Sequence, residues 1–357
     1  MKGSVKEAFP GGNTSKGSYP LFDNIIPEGV NRIFCMKGGP GVGKSSFMKY
    51  VGKHFNNLGY NIELYHCPSD PSSLDALVIK ELGVVMLDGT APHIVDPKLP
   101  GAEDEIINLG QFLDTEAMEA KKDLIREADR QISESFKTAY KYLESSAPIY
   151  RDIEEKNSAC LHFGRVNQLT ENFISDMLDN VENTGIYKKI IHLFGSAISP
   201  IGYVDYTEKI LPEDTKVHYL SGAIGTGKST FMRRFAESAH VKGLEVQIYH
   251  YPLIPEKIET VYVPALEMAI TTSYQFQDVN EIEFDKYLDK KKLTKCEQVT
   301  NSDEKELLNL MSLAIDSFKL AKEKHDVIEG YFVPNMDFGK VEELKSEIIT
   351  RIEAYMK

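Results

Sequence analysis

The chain has 357 residues, 42% apolar and 27% charged, a composition that excludes long disorder and supplies apolar side chains for more than one core. Its formal net charge of −13 argues against a protein that grips nucleic acid with a basic face. Met1 to Pro10 has no apolar core of signal-peptide length, and no segment approaches the roughly 20 apolar residues that span a bilayer, so a cytoplasmic chain without membrane insertion is expected.

In chain order, Arg32 to Met36 is predicted to be a buried strand running into a glycine-rich loop. Ser45 to Leu58 carries Phe47, Met48, Val51, Phe55 and Leu58 at helical spacing and stops at Gly59, a good helix terminator. Asn61 to His66 reads as a second strand, His66 to Asp75 as a Ser/Asp-rich turn, and Leu82 to Leu87 as a third strand ending in Asp88-Gly89. This alternation builds a parallel sheet covered by helices. From about residue 103 the pattern changes. Glu103 to Glu144 carries Leu124, Ala128, Ile132, Phe136, Ala139 and Leu143 at spacings of three and four and is predicted to be one long amphipathic helix. A second helix, about Arg165 to Val181, would pack back on it. These helices either cover the sheet or protrude as a hairpin toward a partner. The four cysteines, Cys35, Cys67, Cys160 and Cys296, lack CxxC spacing and read as reduced thiols.

The chain is a duplication. Gly38, Gly39, Pro40, Gly41, Val42, Gly43, Lys44, Ser45 and Ser46 recur as Gly222, Ala223, Ile224, Gly225, Thr226, Gly227, Lys228, Ser229 and Thr230, an offset of 184. Phe47-Met48 then matches Phe231-Met232, and Ile62 to Pro68 matches Val246 to Pro252. LFDNIIPE from Leu21 matches YTEKILPE from Tyr206 at 185, Ser135-Phe-Lys matches Ser317-Phe-Lys at 182, and Phe163-Gly-Arg-Val matches Phe338-Gly-Lys-Val at 175. The expected domains are 1–185, with a helical part at about 103–181, and 186–357, with a helical part at about 302–357. The fold expected is α/β: two three-layer αβα domains with mostly parallel sheets, each extended by a helical hairpin.

Both loops follow the Walker A pattern, GxxxxGK followed by Ser. Glycines let successive backbone N–H groups turn toward one point at a helix N-terminus, where the dipole also favours an anion. Lys44 and Lys228 would reach the β- and γ-phosphates of a nucleotide, and the hydroxyls of Ser45 and Ser229 would ligate Mg²⁺. Asp88, closing Val84-Val-Met-Leu-Asp, has the Walker B form of an acid after four apolar residues and is the expected second magnesium ligand, with a turn promoted by Gly89 as the alternative. The second copy has Thr272 there, with Glu267 or Asp278 as substitutes if the alignment slips. Asp70 and Asp75 would orient an attacking water or acceptor hydroxyl, or act as turn and cap residues. Asp75 has the counterpart Glu259. His66 and His250 would face the phosphate or satisfy buried hydrogen bonds. Nothing selects among Arg126, Arg130, Arg151, Arg165, Arg233 and Arg234 as a group acting on the γ-phosphate.

These loops resemble those of the P-loop NTPase superfamily. Pro10 to Gly17 (PGGNTSKG), GGPGVGKSS, YHCPSDPSSLDAL and LDGTAPHIVDP together resemble an uncharacterised group of bacterial, largely Firmicute, tandem P-loop proteins labelled ATPases. The resemblance spans both halves and implies ATP binding and a cytoplasmic home. No Asn-Lys-x-Asp segment for reading guanine is visible, which favours ATP over GTP. The expected function is an ATPase that hydrolyses ATP with Mg²⁺ at the first site and binds or regulates at the second, working with a protein partner. The alternatives are a kinase for a small-molecule or nucleotide acceptor, and a nucleotide-gated switch with negligible turnover.

Overall fold

The computed structural model describes residues 2–90 and 95–356, with backbone alone at 295–299. The first half runs β1 (Val5–Ala8), a hairpin of β2 (Gly11–Thr14) and β3 (Gly17–Pro20), β4 (Arg32–Lys37), α1 (Lys44–Asn57), β5 (Ile62–Cys67), β6 (Asp70–Ile79), β7 (Val84–Asp88), β8 (Asp104–Asn108), α2 (Thr115–Glu119), α3 (Lys122–Ala159) and α4 (Phe163–Leu178). The second half runs β9 (Ile191–Phe194), a hairpin of β10 (Ser196–Ser199) and β11 (Gly202–Asp205), α5 (Thr207–Ile210), β12 (Lys216–Ser221), α6 (Lys228–Val241), β13 (Gln247–His250), β14 (Ile258–Val263), β15 (Met268–Thr271), β16 (Ile282–Glu283), α7 (Lys290–Phe332) and α8 (Phe338–Glu353). Among the described residues no helix is long and apolar enough to cross a membrane.

The fold is α/β with two six-stranded sheets, ordered β1-β5-β6-β7-β4-β8 and β9-β13-β14-β15-β12-β16. All pairings are parallel except those of β6 and β14, which run against both neighbours. The turn expected over His66 to Asp75 is therefore corrected: the chain reverses at residues 68–69 and returns as β6. Its opening Asp-Pro-Ser-Ser looks like a turn because the ladder there is irregular, with two register shifts beside His66. Pro71 lies in that irregular stretch, between the pairings of Asp70 and Leu74, where a missing N–H is tolerated. The long helix expected from Glu103 also starts later, because Asp104–Asn108 pairs with β4 as the edge strand β8.

The helices after each sheet cross to the sheet of the other half. One face of the first sheet (Phe34, Met36, Leu77, Met86) packs on Phe47, Met48, Val51 and Phe55 of α1 and on Val341, Ile348, Ile349 and Ile352 of α8. Arg351 of α8 binds Glu105 of β8 through two hydrogen bonds, one of 2.9 Å. In the second sheet Leu220, Val261 and Ile270 pack on Phe231 and Phe235 of α6 and on Val166, Phe173 and Leu178 of α4. The remaining faces of both sheets share a single cluster, with Cys35, Tyr65, Ala76 and Val85 from one and Val217, Tyr249, Tyr262 and Ala269 from the other. The three-layer expectation is thus met in part: helices cover one face of each sheet, and the other face closes on the shared cluster.

A local two-fold relates the halves. Phe9 pairs with its own counterpart Phe194 through reciprocal backbone bonds of 3.0 and 3.1 Å, and Phe136 contacts its counterpart Phe318 at 5.6 Å between ring centres. A residue that meets its own copy lies on the axis. The second of these pairs belongs to the antiparallel packing of α3 on α7, which also buries Leu143, Ala147, Leu307 and Ala314 and joins Lys156 to Asp303 at 2.7 Å.

Candidate functional site

Each glycine loop leaves the carboxyl end of a central strand, β4 or β12, and delivers the chain into a helix. The helices begin at Lys44 and Lys228, and among the described residues no side chain caps either N-terminus. The first-turn N–H donors are therefore left for another acceptor. Lys44 Nζ donates to the carbonyls of Gly38 at 2.8 Å and Gly39 at 2.9 Å and lies 3.6 Å from Asp88. Lys228 Nζ does the same with Gly222 and Ala223, the latter at 2.7 Å. Ser45 Oγ accepts from the backbone N–H of Leu74 at 3.0 Å, and Ser229 Oγ accepts from Ile258 at 2.9 Å. The two loops therefore share one construction, down to the strand that holds each serine. Uncapped donors, a folded-back ammonium and a neighbouring hydroxyl form a donor set that fits a polyphosphate carrying a divalent cation.

The acids differ between the two sites. Asp88 ends β7 and pairs in register with Met36 of β4, so the sheet carries it to the first loop. One oxygen accepts from Thr90 N at 2.9 Å and Thr90 Oγ1 at 2.5 Å, while the other faces Lys44. The bonds to Thr90 form the turn that is the alternative reading of this residue, and the contact with Lys44 brings its other oxygen to the first loop. Asp75 lies next to Asp88 on β6 and is buried, and its Oδ2 has no hydrogen-bond partner among the described residues. Burial, then the charge of Asp88, pushes its carboxyl up to about 7. Asp70 is occupied elsewhere. It accepts from Ser72 Oγ at 2.6 Å and Ser73 Oγ at 2.9 Å, and it sits 3.5 Å from Lys322 of α7. Burial opposes its ionisation, but Ser72 and the Lys322 charge hold its carboxyl below the usual range.

At the second loop Thr272 donates to the Glu259 carbonyl, from its N–H at 2.9 Å and its hydroxyl at 3.3 Å. Glu267 lies in the turn before β15, at the end of the sheet away from the loop, and Asp278 is exposed beyond β15. The acid whose charge acts on Lys228 is Asp285, which accepts from Ala223 N at 2.9 Å. Burial nonetheless brings the Lys228 ammonium down to about 8. The sequence reading missed Asp285 because it lies beyond the short strand β16, which carries little apolar pattern.

Glu259 accepts from Ser196 Oγ and Tyr203 OH instead of facing the loop. Burial pushes its carboxyl from 4.5 up to about 7. A group whose folded value lies above its unfolded value stabilises the fold fully below pH 4.5 and loses that contribution as pH rises to about 7. Glu259→Gln is expected to be progressively favoured over wild type across that window, by about 3 kcal/mol at its upper end. Urea unfolding at several pH values measures this, and a stability difference that does not change with pH contradicts it.

The two histidines serve the packing. His66 bonds the Pro71 carbonyl at 2.7 Å and lies 2.8 Å from Glu7. His250 meets His192 at 2.9 Å, and burial, then His192, brings it down to about 4. The arginines also separate. Arg126 and Arg130 pair along α3 with Asp123, Glu127 and Glu134, Arg165 lies over Tyr287, Arg233 donates to the Glu256 carbonyl, and Arg234 binds Asn167.

Each loop is roofed by the other half. A Cβ on Gly41 would lie 2.9 Å from Val333 Cγ2 and 3.4 Å from Glu329 Cα, at the end of α7. A Cβ on its counterpart Gly225 would lie 2.5 Å from Glu154 O, at the end of α3. Both glycines have positive φ, 68° and 84°. Asn157 Nδ2 and Ser158 Oγ also donate to the carbonyls of Ile224 and Gly225, at 2.8 and 2.9 Å. The loops do not face each other. Asp303 of α7 pairs with Lys156 near the second loop, and the helix from there to Glu329 spans about 39 Å at 1.5 Å per residue.

Comparison with protein-family models, curated proteins and solved structures finds no match.

Proposed function

We propose that this chain is a tandem P-loop protein that binds a nucleotide with Mg²⁺ at each glycine loop. More particularly, we propose an ATPase in which the first site hydrolyses ATP and the second binds or regulates. The observation that carries this reading is Lys44 and Ser45 at the start of α1 beside Asp88 at the end of β7, with Lys44 3.6 Å from Asp88. In a P-loop enzyme the lysine and the metal neutralise charge on the transferred phosphoryl group. Mg²⁺, when bound, would supply Lewis-acid stabilisation of the phosphate oxygens, held by Ser45 and Asp88. Lys44 would exchange its loop carbonyls for phosphate, and the backbone donors of Gly41 to Ser46 would fix the phosphate chain. Asp75 would take a proton from an attacking water, a role supported by its unpartnered oxygen and its position beside Asp88.

The reading as a nucleotide-gated switch is favoured at the second loop, where Thr272 replaces the acid and Glu259 is engaged with Ser196 and Tyr203. Kinase activity would use the same first site with an acceptor hydroxyl in place of water, and acceptor-dependent release of ADP distinguishes it. The test is ATP hydrolysis with Mg²⁺ by wild type and Asp88→Asn, with bound nucleotide counted in parallel. Turnover that falls by about a hundredfold or more while binding persists is the expected result. A wild type that binds ATP tightly without turnover moves the assignment to the switch or the kinase.

A further inference from the structure

Beside the second loop lies a cleft of about 450 Å³, walled by Arg151, Glu154, Glu155 and Ser158 of α3 and by Ile254, Glu256 and Lys257 between β13 and β14. Arg151, Glu154 and Ser158 are spaced i, i+3 and i+7 and so share one helix face. That face meets the loop, through the Glu154 backbone on Gly225 and the Ser158 hydroxyl on the Gly225 carbonyl. Arg151 stands one turn from Glu154, about 5 Å along the axis. The opposite wall ends at Lys257, directly before Ile258, whose N–H donates to Ser229 Oγ. The cleft thus runs from Arg151 toward the hydroxyl expected to hold the metal.

Of the other charged walls, Lys257 pairs with Glu154 and Glu256 with Lys16, while Glu155 lies exposed on α3 directly after Glu154. Arg151 has no hydrogen-bond or ion-pair partner among the described residues, and its charge acts on the Glu256 carboxylate across the cleft. An unpaired guanidinium at the mouth of an anion site is a fork for phosphate oxygens. We propose that Arg151 reads the terminal phosphate of a nucleotide held by the second loop, so that this site prefers a nucleoside triphosphate to a diphosphate. The proposal rests on the second loop being a nucleotide site. It belongs to that site alone, because the counterpart of Arg151 at the first loop is Asp326, an acid paired with Lys322. The first half would thereby supply, through α3, the group that tells the second site which nucleotide it holds.

The test uses the full chain carrying Lys44→Ala, which leaves the second loop as the site measured. Isothermal titration with a non-hydrolysable ATP analogue and with ADP, both with Mg²⁺, gives the two affinities. Arg151→Ala is expected to lower affinity for the analogue about tenfold to a hundredfold and to leave ADP within about twofold, with Arg151→Lys recovering part of the loss. Equal losses for both nucleotides, or none, overturn the role of Arg151 while the second loop remains a nucleotide site. A folded Lys44→Ala protein that binds neither nucleotide overturns the reading of the loop and the role of Arg151 together.

Discussion

Lys44→Ala is expected to reduce ATP turnover by at least about a hundredfold, the cost of removing one preorganised charge from a phosphoryl-transfer site. Lys228→Ala is expected to weaken nucleotide binding at its own loop and to leave most of the turnover in place. The reason is the difference in acids. Lys44 has Asp88 at 3.6 Å and the buried Asp75 close behind it, whereas the charge acting on Lys228 comes from Asp285, whose Oδ1 accepts from the loop N–H of Ala223. Steady-state hydrolysis of the two variants beside wild type decides it. Equal loss of turnover from both substitutions contradicts a working first site with a binding or regulatory second one.

Separate expression of residues 1–185 and 186–357 is expected to give two fragments that do not fold cooperatively alone and do so when mixed. The first sheet depends on Met336, Val341, Ile348, Ile349 and Ile352 for its core, and all five lie in the second half. Burying five such side chains contributes on the order of 10 kcal/mol, as much as the whole net stability of an ordinary domain. The second sheet depends equally on α4, through Val166, Phe173 and Leu178. Phe173 packs between Phe231 and Phe235 of α6 with ring centres at 5.0 and 5.6 Å. Circular dichroism melts of each fragment and of the mixture test this. A sharp native-like melt from either fragment alone contradicts the crossed packing.

That crossing also gives the two sites a mechanical connection. α3 ends on the second loop and α7 on the first, and the two helices pack on each other between. A ligand that shifts either roof acts on a packed pair that reaches the other loop, and any coupling of affinities must be reciprocal.

The duplication, the glycine loops, and the strands and helices flanking them were legible because each carries a strong local signal. Phe47, Met48, Val51 and Phe55 fall on one helix face, and Asp88 closes an unbroken apolar run. β6 was not legible, because Asp70-Pro71-Ser72-Ser73 has the chemistry of a turn and its unbroken burial begins only at Leu74. The exchange of α4 and α8 was hidden for a different reason. In a duplicated chain the two helices have equivalent apolar faces, Val166 matching Val341, so the pattern says that each covers a sheet and not which one. Asp285 owes its place to a tertiary contact with the second loop, and Arg151 is brought beside that loop by α3, through Glu154 and Ser158; no local spacing encodes either.

The most direct measurement is equilibrium binding of ATP with Mg²⁺ to the full chain, with stoichiometry determined by titration. Two nucleotides per chain are expected for wild type, one for Lys44→Ala or Lys228→Ala, and none for the double variant. A folded wild type that binds no ATP, or a double variant that still binds two, would contradict the account.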